Sequence, residues 1–282
     1  MRWQGRRGSS NIVDRRRSSG GARVGGIGGV AGVLILLAGW YFGVDTSQFV
    51  EFGGDDIRGG NVEITEADER AAQFVSVTLA DTEEVWTDIF ASQLGQSYDA
   101  PELVLFKGAT RSACGGASAA TGPFYCPPEE RAYLDTDFFV TMERRLGAGG
   151  DFAAAYVIAH EVAHHVQNEL GILGQVNELR ARSSERDSNA LSVRVELQAD
   201  CMSGIWARAA ESRFGSLEPG DIEEAMNAAA QIGDDTLQRN AGQTVRPHTF
   251  THGTSAQRQR WFARGYQSGD LSVCDTFSTD QL

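Results

Sequence analysis

The residues with the clearest capacity for chemistry are His160, Glu161 and His164, spaced as H-E-x-x-H at the end of an apolar, alanine-rich run from Phe152 to Ala159. The length and alanine content of that run predict a buried helix. Positions four apart on a helix share a face. His160 and His164 can therefore aim two ring nitrogens at one point about 2 Å from each. Glu161, one step round the helix, flanks that point. A zinc ion held by such imidazoles lowers the pKa of a water to about 7. A carboxylate beside it can take the water's proton and later pass it to a leaving amine. The plainer alternative is a buried helix with two satisfied histidines and a surface Glu. In a chain with five histidines the pattern is specific enough to favour the metal.

Two histidines leave zinc short of the three protein ligands usual in a catalytic site. Downstream, Glu196 and Asp200 are again four apart in a stretch of helical character. Glu196 is the expected third ligand. Asp200 is placed to reach the outer nitrogen of a zinc-bound histidine, His160 for choice, and fix its tautomer. Gly204, one turn on, would let two helices approach closely. Alone, this stretch reads as an exposed helix with ordinary carboxylates; the upstream pattern changes its meaning.

Together these residues resemble the gluzincin class of zinc peptidases, in which H-E-x-x-H is followed by E-x-x-x-D. The run His160-Glu161-Val162-Ala163-His164-His165-Val166-Gln167 with Glu196-Leu197-Gln198-Ala199-Asp200-Cys201 is closest to the bacterial neutral zinc metallopeptidases, which carry a membrane anchor. Gly122-Pro123-Phe124-Tyr125-Cys126-Pro127 and the segment from Phe250 to Arg258 fit the same family, so the resemblance runs from about Glu66 to Asp270. It implies a zincin-like α+β fold, mostly helical with a small sheet over two helices that cross at one Zn2+. It also implies a strand edge bordering the cleft that pairs with extended substrate, against the simpler possibility of a sheet edge with no ligand. In gluzincins a His or Tyr beyond the third ligand often donates to the oxyanion. His252, in a loop before a final helix, is the candidate for that role; a loop-holding histidine is the competing reading. His165 and His248 are expected to be structural or supporting.

The elements that must position these groups follow from the rest of the chain. Thr65 and Asp68 read as a helix start. Phe74 to Leu94 keep near-helical apolar spacing, with a possible break near Asp81. Leu103–Phe106, Phe124–Tyr125 and Ala132–Asp135 read as strands around a loop over 110–121. Asp151 is placed to cap the zinc-site helix. A second helix spans about 187–212, an amphipathic one 221–239, and Ser255 starts the last. Four cysteines allow three pairings. Cys114 with Cys126 would staple a small-residue loop, and Cys201 with Cys274 would tie the tail to the second zinc helix. Four free thiols are the alternative; disulfides would agree with an oxidising exterior.

Charge and hydropathy divide the chain into four parts. Residues 1–23 hold seven arginines and one aspartate, a charge of +6, so the remainder carries −19 of the net −13. An acidic body argues against nucleic-acid binding. Val24–Val44 is a run of 21 residues without charge, ending Trp40-Tyr41-Phe42, long enough for one bilayer crossing. The expected organisation is a basic disordered cytoplasmic tail over 1–23, a transmembrane helix over 24–44, a linker over 45–64 and a catalytic domain over 65–282. The positive-inside rule then leaves the N-terminus in the cytoplasm and the catalytic domain outside the inner membrane. A cleaved signal peptide is the rival, though the apolar run is long for one. Glycines in the span permit oligomers through the anchor.

The resulting expectation is a membrane-anchored zinc metalloendopeptidase acting on peptides or proteins. His160, His164 and Glu196 bind zinc, Glu161 is base and acid, and Asp200 orients a histidine. The alternatives are a non-catalytic zincin-like scaffold of the cell envelope, against which the intact Glu161 speaks, and a zinc hydrolase of non-peptide substrate.

Overall fold

The computed structural model describes residues 1–17, 63–118 and 122–282. The expected membrane span over 24–44 lies outside them. Among the described residues no helix is long and apolar enough to cross a membrane.

In chain order the strands are β1 (Ile12–Asp14), β2 (Glu102–Phe106), β3 (Ala109–Ser112), β4 (Gly115–Ser118), β5 (Phe124–Cys126) and β6 (Arg131–Asp135). The helices are α1 (Glu66–Ile89), α2 (Asp137–Leu146), α3 (Asp151–Glu169), α4 (Ile172–Arg180), α5 (Glu185–Phe214), α6 (Asp221–Gln231), α7 (Asp234–Asn240) and α8 (Ser255–Ser268). The fold is mixed α+β and mostly helical. Strand order in the main sheet is β1-β2-β6-β5; β1, β2 and β6 run parallel and β5 antiparallel to β6. Leu103, Leu105, Ala132 and Leu134 face the helical core. On the other face Val104, Phe106 and Tyr133 form a smaller apolar cluster in which Phe124 stacks on Tyr133 at 4.9 Å.

α3 is the helix the alanine-rich run predicts, and its residues from Phe152 to Ala163 are all buried. Gly150 precedes it at φ 116, a backbone conformation that favours glycine, and a Cβ there would stand 2.1 Å from a Glu224 carboxylate oxygen. Asp151 does not cap α3: it is the first helical residue, and Glu224 instead accepts from Phe152 N at 3.1 Å. α3 and α5 run antiparallel, since their pairings fall in reverse order. Phe152 stacks on Trp206, Tyr156 bonds Asp200, His160 meets Glu196, and Gln167 bonds Val195 O. α5 starts on a Ser184 cap and ends at left-handed Gly215. Gly204 does allow a close helix approach, but to α8: a Cβ there would lie 2.0 Å from Phe262 O, and one at Gly265 would lie 1.8 Å from Cys201 O.

Other local expectations shift. α1 continues through Asp81, which Arg6 holds in a two-point ion pair, and ends in a π-helical turn over Phe90–Leu94. The loop over 110–121 contains the β3–β4 hairpin. The helix expected over 221–239 divides into α6 and α7 at Gly233, where a Cβ would meet Ser255 N at 2.4 Å. The cap of α8 is Thr254, in a capping box with Gln257, one residue before the Ser255 expected.

The expectation of a disordered tail over 1–23 needs correcting for residues 1–17, and the folded body does not start at residue 65. β1 lies parallel to β2 with Ile12 opposite Leu103. The Met1 side chain is buried, and its amine lies 2.9 Å from Asp151 Oδ1, 3.0 Å from Glu218 Oε2 and 3.2 Å from Asp221 Oδ1. Arg16, also buried, bonds Asp14, Glu69 and Asp68 O. An arginine-rich composition reads as solvated chain, but here each guanidinium named meets a carboxylate of the acidic body. Both disulfides form, Cys114–Cys126 and Cys201–Cys274, with Cα atoms 5.8 and 5.5 Å apart.

Candidate metal centre

One turn of α3 and one turn of α5 build the centre. The facing rings of His160 and His164 have centroids 4.8 Å apart and stand at 86° to each other. Across from them the Glu196 carboxylate places Oε2 3.0 Å from His160 Nε2 and Oε1 3.5 Å from His164 Nε2. A ligand atom from each of the three residues lies within 4.8 Å of the other two. Two imidazole nitrogens and one carboxylate oxygen converging in this way are the donor set of a three-ligand zinc site. The electrostatics agree. Burial opposes charge on the His160 ring, yet Asp200 and Glu196 outweigh it and hold the ring's proton affinity up to about 10. Burial likewise opposes ionisation of Glu196, but the adjacent imidazoles His164, His252 and His160 keep its pKa well below the usual carboxylate range. The geometry and chemistry of these donors fit zinc.

A model of the family described as "Putative neutral zinc metallopeptidase" matches residues 1–277. The chain belongs to this family. The match includes residues 1–17 and so exceeds the span from 66 to 270 that the motifs suggested. Among relatives, Uncharacterized protein YpfJ of Escherichia coli (strain K12) is 46% identical over 285 residues, covering 98% of this chain and 99% of its own. Uncharacterized protein Rv2575 of Mycobacterium tuberculosis is 46% identical over 195 residues, covering 66% of this chain and 65% of its own. No solved structure matches.

The remaining site residues of this metallopeptidase-family chain are placed around the ligand triad. Glu161 is 9% exposed. Burial pushes its carboxyl's pKa up, while the His164 and His160 charges oppose the shift. That environment suits a proton acceptor of raised affinity beside the metal position. Asp200 Oδ1 lies 3.0 Å from His160 Nδ1, at ion-pair distance but off the line of an aligned hydrogen bond. Burial opposes the Asp200 charge, but Arg258 first and His160 next hold its pKa down to about 2.

His252 lines a cavity of about 250 Å³ together with Glu196, Leu173, Val176 and Val195. Its Nδ1 is 3.1 Å from Asp234 Oδ1, while Asp234 Oδ2 accepts from the backbone N–H groups of Thr251, His252 and Gly253 at 2.8, 2.6 and 2.9 Å. One carboxylate at the start of α7 therefore fixes both loop and ring. Burial opposes charge on His252, but Glu196 and Asp234 outweigh it and raise its pKa. His165 ties strand β5 to α3: it accepts from Tyr125 OH at 2.9 Å through Nδ1 and donates to Asp99 O at 2.6 Å through Nε2. His248 is exposed and belongs to no metal-capable cluster among the described residues.

Four supporting residues were not singled out for a role from sequence. Gln167 Oε1 accepts from His164 Nδ1 at 2.8 Å, which leaves Nε2 for the metal position, and its amide donates to Val195 O and Gln198 Oε1. Tyr156 donates to Asp200 Oδ1 at 2.5 Å. Arg258, 2% exposed, donates to both Asp200 oxygens at 2.8 and 2.9 Å. Asp234 is the fourth. Gln167 and Tyr156 sit three and four residues from the histidines on α3, so helical spacing carried a signal for them. Arg258 and Asp234 carried none, because their partners are distant in sequence.

Proposed function

We propose that this chain is a zinc-dependent endopeptidase that hydrolyses peptide bonds in a zincin-like cleft. His160, His164 and Glu196 would hold one zinc. Zinc in that position supplies Lewis acidity, polarising a carbonyl and acidifying water. Glu161 takes the proton of the attacking water and returns it to the amine nitrogen as the C–N bond breaks. His252, steadied by Asp234, donates to the oxygen that gains charge in the tetrahedral stage. Asp200 keeps the His160 tautomer, with Arg258 balancing its charge. Among the described residues β5 forms the sheet edge on the zinc-helix side, which supports main-chain pairing with an extended peptide and loose sequence preference. The two disulfides favour an oxidising compartment.

The observation that carries the reading is the convergence of two imidazoles and a carboxylate with Glu161 buried beside them. The purified full chain should bind about one zinc and cleave an unfolded protein until a chelator is added. Glu161→Gln should keep the metal and lose at least about 100-fold in turnover. A Glu161→Gln variant as active as the parent overturns the mechanism.

A further inference from the structure

The N-terminal arm is an integral part of the body. Its backbone enters the sheet through β1, with Leu103 N donating to Asn11 O at 2.8 Å and Arg15 N to Leu105 O at 2.7 Å. Further back, Ser9 N donates to Ser76 O on α1 and Arg2 N to Ser216 O beyond α5. Trp3 meets Phe74 edge-on at 5.5 Å, and the Arg6 guanidinium lies 4.3 Å over the Phe214 ring while holding Asp81. Met1 reaches α3 and α6.

The chain leaves this body and returns to it at one place, the start of α1. Arg16 Nη1 donates to Asp68 O at 2.9 Å, and Arg17 Nη2 lies 3.6 Å from Glu69 Oε1. Thr65, two residues after the described chain resumes, caps the same turn through Asp68 N. Between the two points lie residues 18–62, which contain the uncharged run Val24–Val44.

A chain whose two ends share one side of a bilayer crosses it an even number of times. One helical crossing takes about 20 apolar residues and two take about 40. Residues 18–62 hold one such run, and the remainder includes Asp45, Glu51, Asp55, Asp56 and Arg58. A single crossing would put β1 and β2 on opposite sides of the membrane and remove every contact described above. The arginine pattern favours that arrangement, but it would strip Arg6, Arg7 and Arg16 of the Asp81, Glu84 and Glu69 carboxylates they hold here. We infer that residues 1–17 and 63–282 lie on the same side of the membrane.

The native cysteines are all paired, so an introduced thiol is the one free thiol in the chain. In the full-length protein, Ser10→Cys on the arm and Ser183→Cys after α4 both fall at exposed positions. Spheroplasts carrying either variant are treated with a membrane-impermeant maleimide before and after lysis. The two positions should behave alike, both reacting before lysis or both only after it. Reaction at one before lysis and at the other only after it overturns the inference. A second variant reads the contact directly. A Cβ at Gly8 would stand 3.4 Å from Ser76 Cβ, close to the roughly 3.5–4.5 Å of a disulfide. Gly8→Cys with Ser76→Cys, oxidised by copper phenanthroline in unsolubilised membranes, should link the arm to α1 in most chains. Two thiols that stay separate and alkylate independently overturn it.

Discussion

Replacing Arg258 by Met should unbalance the centre without touching any ligand. The guanidinium is buried, grips both Asp200 oxygens, and also reaches Tyr156 OH at 3.2 Å and Ile232 O at 3.3 Å. Met fills much of the volume but leaves the Asp200 charge without its main partner. Breaking one side of a buried ion pair costs about 3–5 kcal/mol. At roughly 2–4 °C per kcal/mol for a chain of this size, that lowers Tm by about 6–20 °C. Asp200 would then draw a proton more readily and hold His160 less firmly, and losing such support costs about 10–100-fold in metal affinity. Calorimetry of the metal-free chain and competitive zinc titration read the two effects separately. Adding Asp200→Asn removes the stranded charge, so the double variant should be more stable than Arg258→Met alone while still binding zinc weakly. A single-variant loss below about 1 kcal/mol, or a double variant less stable than the single, would refute the charge-burial reasoning.

Three further outcomes are expected. His252→Ala should lower kcat by about 100–1,000-fold with zinc content unchanged, and Asp234→Asn should reproduce part of that loss; steady-state kinetics beside metal analysis would expose the idea if kcat held. Gln167→Leu frees His164 Nδ1 and should weaken zinc binding about 10–100-fold, measured by competition with a chromophoric chelator; an unchanged affinity would show that Gln167 merely packs. The Met1 amine, whose burial opposes its charge but whose partners Asp151, Glu218 and Asp221 outweigh that, has a pKa raised from 8.0 to about 10. It holds its proton more tightly folded than unfolded. Its contribution is therefore complete below pH 8 and lost as pH rises through 10, about 1–2 kcal/mol after solvent screening. Urea midpoints at both pH values should differ less in Asp221→Asn than in the parent, and equal differences would remove the amine from the account.

The convergence of His160, His164 and Glu196 was legible because each half of it is local. His160 with His164, and Glu196 with Asp200, are helical repeats that need only the 3.6-residue period to share a face. The helices themselves followed from alanine content and apolar spacing, with the Thr65–Asp68 start also legible, whereas the caps of α3 and α8 were not. What could not be read was any contact whose partner is set by tertiary packing. Arg258 looks like one more charged residue of α8 until α8 is laid on α5. Gly233 looks permissible inside a helix until Ser255 is placed against it. The arm is the largest case: arginine, serine and glycine signal solvated chain, and the carboxylates that order it are supplied from positions 69 to 221.

The contact between the Met1 amine and Asp221 spans 220 positions. A ribosome adding about 5–20 residues per second needs about 10–40 s to reach the second partner after making the first. Strand β1 is synthesised well before β2, its neighbour in the sheet, and the acidic pocket for the amine comes later still. The sheet strands are all present once residue 135 is made, but the amine cannot be seated until Asp221 has emerged, so throughout that interval the segment before β1 is free to meet whatever factors decide where the nascent chain is delivered.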